Sequence, residues 1–199
     1  RVSSLDKSDI INFMNTEKRI FTIVGPHARE TKNSIFDRKI KDIEKVGETF
    51  WVIKKISYKS LEEVQEFCEN GKVKIYFISP SSKGAAKDTK NTSENNEYSK
   101  DGDCWEKIPE EISKVTGSGY AFILSKLDLI TDEKINIYDY AEESHEPVEF
   151  SNRNSTICVI KKDTSNHPKR MHKNSSGTKN IRTVWAVGTL KCPYYVKVR

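Results

Sequence analysis

Apolar positions in this chain fall mostly in short β-branched and aromatic runs, the pattern of strands. Such runs cover residues 19–24, 49–56, 72–78, 120–129, 134–140, 148–150, 155–160, 183–190 and 194–198. Gly25-Pro26 ends the first and Pro80 the third, as turn-forming residues do. Helical spacing recurs over residues 31–45, where Ile35, Phe36, Ile40 and Ile43 share one face ahead of Gly47. A second helix is predicted over residues 60–70. There Ser60-Leu61-Glu62-Glu63 fits a capping box, Leu61, Val64, Phe67 and Cys68 repeat at helical intervals, and Asn70-Gly71 closes the element. Shorter helices are predicted over residues 4–15 and 109–115.

Strands do not alternate regularly with helices, which argues against a doubly wound parallel sheet. The expected class is α+β: a curved mixed or antiparallel β-sheet, or a partly closed β-barrel, with two or three helices. Closure removes exposed sheet edges in a chain with this many strands. The 199 residues suit one domain, large enough to bury a core without disulfides. The first residue is Arg, so a piece of a longer chain is expected. Residues 81–103 and 161–182 are polar and are expected to be mobile surface loops. The layout of strands with one helix between the early ones resembles the PUA-like class of small curved barrels. That resemblance implies binding of RNA or modified bases in an aromatic pocket beside a basic surface. It is one of layout alone and carries over no individual residue.

Composition narrows the class further. Apolar residues make up 35% of the chain and charged residues 32%, so a compact core under a large polar surface is expected. The longest apolar run, Tyr120-Ala121-Phe122-Ile123-Leu124, is far short of a membrane span, and no membrane partner is expected. Cys68, Cys104, Cys158 and Cys192 are widely separated and form no C-x-x-C pair. A reduced, intracellular protein of the nucleus or cytoplasm is expected. Sequons begin at Asn91, Asn154 and Asn174, but such triplets arise easily by chance in an Asn- and Ser-rich chain.

Charge supplies the sharpest signal. The net charge is +5, yet residues 150–199 hold eleven Lys/Arg and one acid, leaving the preceding part acidic overall. Within that region, residues 161–182 carry seven Lys/Arg and two His against one Asp. Phosphate binding needs cations and hydrogen-bond donors at phosphate spacing. Lys169, Arg170, Lys173, Lys179 and Arg182, with Asn and Ser between them, supply both. Single-stranded or extruded bases are held by stacking on aromatic rings. Trp185 follows directly on the basic segment, and Trp105 follows the polar Asp101-Gly102-Asp103-Cys104. Trp51 lies mid-strand, on the face opposite Phe50. The expectation is therefore a nucleic-acid-binding domain, for RNA or for modified or single-stranded bases, with no cofactor.

Two alternatives remain. An acidic patch of Asp139, Glu142, Glu143, Glu146 and Glu149 precedes the basic region, so one copy's patch meeting another's loop would make a self-assembly or protein-interaction domain. Asp128, Asp132, Glu133 and Asp139 with Lys126 and Lys134 contain the residue types of a metal-dependent nuclease, without a recognisable spacing. His167 and His172 lack the spacing and partners of a metal site, so no metal ligands are assigned. No residue is assigned a catalytic role, and an enzyme is the less favoured outcome.

Overall fold

The computed structural model describes residues 18–53, 65–66, 68–69, 74–80, 93–112, 114–117, 119–131, 133–136, 140–141, 157–162 and 181–199. In chain order these form β1 (Lys18–Ile23), α1 (Lys32–Val46), β2 (Thr49–Ile53), β3 (Lys74–Ile78) and β4 (Glu97–Ser99). There follow β5 (Glu106–Lys107), β6 (Gly119–Leu129), β7 (Lys134–Asn136), β8 (Tyr140–Ala141), β9 (Ile157–Lys162) and β10 (Ile181–Val198). The strands join in one mixed sheet in the order β2-β6-β10-β3-β1-β9-β8, with β4, β5 and β7 attached to its margins. β1 and β3 run parallel, and the other pairs along this path are antiparallel.

The mixed α and β composition agrees with expectation, but closure does not. The path ends at β2 and β8, which do not pair with each other, so the sheet is open. Nor do two or three helices appear: α1 is the one complete helix among the described residues. Residues 4–15 lie outside them, and the helix expected over 60–70 is represented by Gln65, Glu66, Cys68 and Glu69, which are helical. The described residues of 109–115 are not helical. Ile112 N–H donates to the Pro109 carbonyl at 3.0 Å, after which Lys114 turns left-handed at φ 53°. Ile108, Ile112 and Val115 pack instead as a cap over one face of the sheet.

α1 forms where the apolar spacing predicted it. The Thr31 hydroxyl accepts from Ser34 N–H at 3.3 Å, and Gly47 at φ 82° ends the helix by donating to the Ile43 carbonyl. The helix covers β2 and β6, where Phe36, Trp51 and Phe77 form an aromatic cluster with centroids 4.4 to 5.8 Å apart. Strand alternation divides the residues of β2 and β6 between two faces. Trp51, Ile53, Phe122 and Leu124 face the helix, while Phe50, Ala121 and Ile123 face the cap. Both Phe50 and Trp51 are therefore core. Against β10, β6 carries one extra residue, Ser125, between Leu124 and Lys126. An inserted residue reverses the alternation, which is how Leu124 and Leu127 reach the same core.

β10 is longer than its sequence suggests. Pro193 divides residues 183–198 into two predicted strands. In the structure, Lys191 to Tyr194 loop out between partners Leu124 and Phe122, and the strand then rejoins β6. The described residues of 134–140 belong to β7 and β8. The polar stretch 81–103 also differs from a continuous loop: its described part contains β4, with Asn95 and Ser99 buried. Asn95 Nδ2 donates to the carbonyls of Val115 and Gly117, tying this stretch to the cap.

Candidate nucleic-acid interface

Lys169, Arg170, Lys173 and Lys179 lie outside the described residues, as does the acidic patch from Asp139 to Glu149. Arg182, Trp185 and Trp105 are described. Arg182 stands near the start of β10, opposite Ile135 of β7, and is 3% exposed. It forms the enclosed root of the basic segment, not part of its outer surface. Reciprocal hydrogen bonds of 2.9 Å, from Ser79 N–H to the Thr183 carbonyl and from Thr183 N–H to Ser79 Oγ, fix this end of the strand to the residue after β3.

Trp185 is set by an irregularity that the sequence did not reveal. Val184 pairs with Ile78 and Ala186 with Phe77, so Trp185 is an extra residue between consecutive partners on β3. A bulge of this kind re-aims one side chain without disturbing the strand on either side. Val184 and Ala186 are fully buried, whereas Trp185 is half-buried at the edge of the core beneath α1. The bulge is held by Ile130 N–H, which donates to the Trp185 carbonyl at 2.9 Å.

The Lys32 ammonium lies 3.9 Å from the Trp185 ring centroid, a cation–π arrangement. Lys32 is the first residue of α1, and no acid occupies the first turn. A cation is unfavourable at the positive end of a helix. Burial also lowers the Lys32 pKa from its ordinary value. The indole thus adjoins a lysine ammonium at the start of α1.

Trp105 occupies a different place. Its ring carries the Arg199 guanidinium at 3.9 Å, and Arg199 Nε donates to Glu97 Oε2 at 2.8 Å. Beside it, Tyr98 Oη donates to Glu106 Oε2 at 2.5 Å, the hydrogen bond that pushes the Tyr98 pKa up to about 12. The preceding turn is organised by Asp101, whose carboxylate accepts from Cys104 and Asp103 N–H. These bonds hold its pKa near 2. Ala186 pairs with Leu129 and Val198 with Gly119, so the two indoles stand near opposite ends of the β6/β10 ladder. At about 3.3 Å per residue those ends are on the order of 30 Å apart. One base cannot contact both.

A second charged cluster surrounds Glu30 and was not anticipated. Ala28 and Arg29 adopt φ of 48° and 65° in a turn closed by reciprocal His27–Glu30 backbone bonds of 3.0 and 2.8 Å. Arg38 grips the Glu30 carboxylate with two hydrogen bonds, Nε to Oε2 at 2.9 Å and Nη2 to Oε1 at 2.7 Å. Lys114 Nζ approaches Glu30 Oε1 at 3.9 Å. Burial acts to raise the Glu30 pKa, but the bond and charge of Arg38, with Lys114 and Lys39, outweigh it and hold the value below normal. These partners are distant in sequence, and no local pattern marks them.

Of the acids considered for a nuclease, Asp128 lies 3.7 Å from Lys126 Nζ, while Asp132 and Asp139 fall outside the described residues. Among the described residues no three His, Cys, Asp or Glu side chains are grouped to share a metal ion, and no helix is long and apolar enough to cross a membrane. Comparison with known proteins finds no matching family model, no matching curated protein and no matching solved structure.

Proposed function

We propose that this chain binds single-stranded nucleic acid, with phosphates along the basic segment 161–182 and one base stacked on Trp185. The observation that carries this reading is the bulge. It presents an indole three residues beyond Arg182, with the Lys32 ammonium against its ring. Stacking on an aromatic beside cations binds a base without reading its identity. Lys169, Arg170, Lys173 and Lys179 are the phosphate contacts in this proposal, and Arg182 anchors the segment to the sheet. Of the two indoles, Trp185 is preferred. Both rings carry a cation at 3.9 Å, but Trp185 follows Arg182 closely, whereas Trp105 packs on Arg199 at the far end of β10.

The test is a salt titration of affinity for a single-stranded RNA and its DNA counterpart. Affinity should fall steeply with salt, and changing Lys169, Arg170 and Lys173 together to Ala should make the logarithmic slope shallower by about 2 to 3. Trp185→Ala should weaken binding by about 1–3 kcal/mol with the slope preserved, whereas Trp185→Phe retains most of the affinity. An unchanged slope in the triple variant removes the basic segment from the contact surface. Equal losses for Trp105→Ala and Trp185→Ala contradict the assignment of the base to Trp185.

A further inference from the structure

On the outward side of α1, Ser34, Arg38 and Lys41 follow at helical intervals of four and three residues and so share one face. Opposite them stand Glu30 and Lys114, and with Asp37 these six residues line an open cleft of about 500 Å³. Three cations in the cleft face two carboxylates. Glu30, only 8% exposed, is already engaged by the Arg38 fork, and its second oxygen receives Ser34 Oγ at 3.5 Å. Arg38 is thereby fixed in direction, while the Lys41 and Lys114 side chains remain solvent-exposed and can swing onto a bound group.

The backbone supports a role beyond packing. The described chain holds four residues other than glycine at positive φ, and three of them, Ala28, Arg29 and Lys114, flank this one carboxylate. Left-handed conformations are unfavourable for such residues and collect at ligand sites, where surrounding structure enforces them.

We infer that this cleft binds a phosphate group, held by Lys41 and Lys114 with the Ser34 hydroxyl, which turns to it from its long contact with Glu30, and oriented by the Arg38 guanidinium that Glu30 fixes in place. A guanidinium aligned by a carboxylate, with two mobile ammonium groups and a hydroxyl, matches the several acceptor oxygens of a phosphate. Asp37, on the rim, opposes a second anionic group and favours a compact ligand. The phosphate is either free or the terminal phosphate of an oligonucleotide. The cleft lies on the side of α1 away from Phe36, which faces the Trp51–Phe77 core. The inference therefore does not depend on the basic segment or on Trp185.

The experiment is an amide-resolved NMR titration of the whole chain with sodium phosphate, against sodium chloride at matched ionic strength. Phosphate should move the Ser34, Arg38 and Lys114 signals saturably and chloride should not. The combined change Lys41→Ala and Lys114→Gly should weaken the response by about tenfold or more, as expected for losing charged hydrogen bonds. Glycine is chosen because the left-handed backbone at position 114 suits it. A 5′-phosphorylated oligonucleotide that binds this cleft more tightly than its unphosphorylated twin identifies a nucleic-acid end as the source. Equal binding of the twins, with phosphate still saturating the cleft, identifies the free anion. No phosphate-specific shift, or a response unchanged in the double variant, overturns the proposal. Failure of the basic-segment variants to alter salt dependence leaves this result untouched, so the two proposals fail separately.

Discussion

The native chain should gain stability between pH 7 and pH 10, and replacing Lys39 with Met should remove most of that rise. Lys39 is enclosed between α1 and β2, where its ammonium donates to the Phe50 carbonyl and lies 5.4 Å from the Trp51 ring centroid. Burial, with a smaller contribution from Arg38, lowers its pKa to about 7, while Asp42 and Glu30 work in the opposite direction. Asp42 is buried beside it and accepts from Thr49 Oγ1 at 3.0 Å. The unfolded chain keeps the lysine proton until about pH 10.4. Between these values the unfolded state binds more protons, so stability increases with pH across that window. Below pH 7 both states are charged and the full cost of burying the ammonium is felt. A shift of this size corresponds to roughly 5 kcal/mol at most. Urea unfolding at pH 7, 8.5 and 10 checks it. Other groups titrating near pH 10 affect both proteins, so the difference in slope between native and Lys39→Met is the quantity to compare. Equal slopes would contradict the assignment.

Phe77→Ala should cost about 3–5 kcal/mol, the range for deleting a fully buried ring. Phe77 touches Phe36 and Trp51 on the helix side, and its ring edge also fills the place where Gly188 of β10 lacks a side chain. A Cβ on Gly188 would lie 2.9 Å from Phe77 Cε2, 2.9 Å from Ile75 Cγ2 and 3.1 Å from Leu124 Cδ2. Gly188→Ala alone should therefore cost about 1–3 kcal/mol through overpacking. Combined with Phe77→Ala, the new methyl enters part of the space the ring vacates. The double variant should lose less than the sum of the single losses. Strict additivity in denaturant melts would show that the ring and the methyl do not compete for the same space.

The sequence revealed elements wherever a periodic pattern agreed with local punctuation. Ile35, Phe36, Ile40 and Ile43 ahead of Gly47 gave α1, and the β-branched runs gave β2, β3 and β6. Within α1, the helix buries Lys39 and Asp42 and leaves Ile40 and Ile43 only partly covered, because Phe50 and Thr49 supply polar partners where periodicity alone requires apolar ones. Pro193 hid the continuity of β10, since a proline inside a strand pattern normally signals a break. β6 takes up the strand again after four looped-out residues.

The candidate site was legible only in part. Trp185 was found by its closeness to the basic segment, but the bulge that aims it comes from pairing with β3, a hundred residues away in the chain. Trp105 stands out in the sequence because it follows a polar turn. Its real partner is Arg199, which nothing local indicates. The Glu30–Arg38–Lys114 cluster had no sequence signature, because an ion pair across a tertiary cleft has no characteristic spacing.

β10 lies in the middle of the sheet, between β6 and β3, although it follows every other described strand in the chain. A ribosome making this protein releases β1, β2, β3 and β6 before the strand that joins them. Until residues 181–198 emerge, β6 and β3 each lack their shared neighbour and present apolar edges that invite mispairing. Assembly of this sheet therefore waits for β10, and a chain that lacks it is the form most open to mispairing.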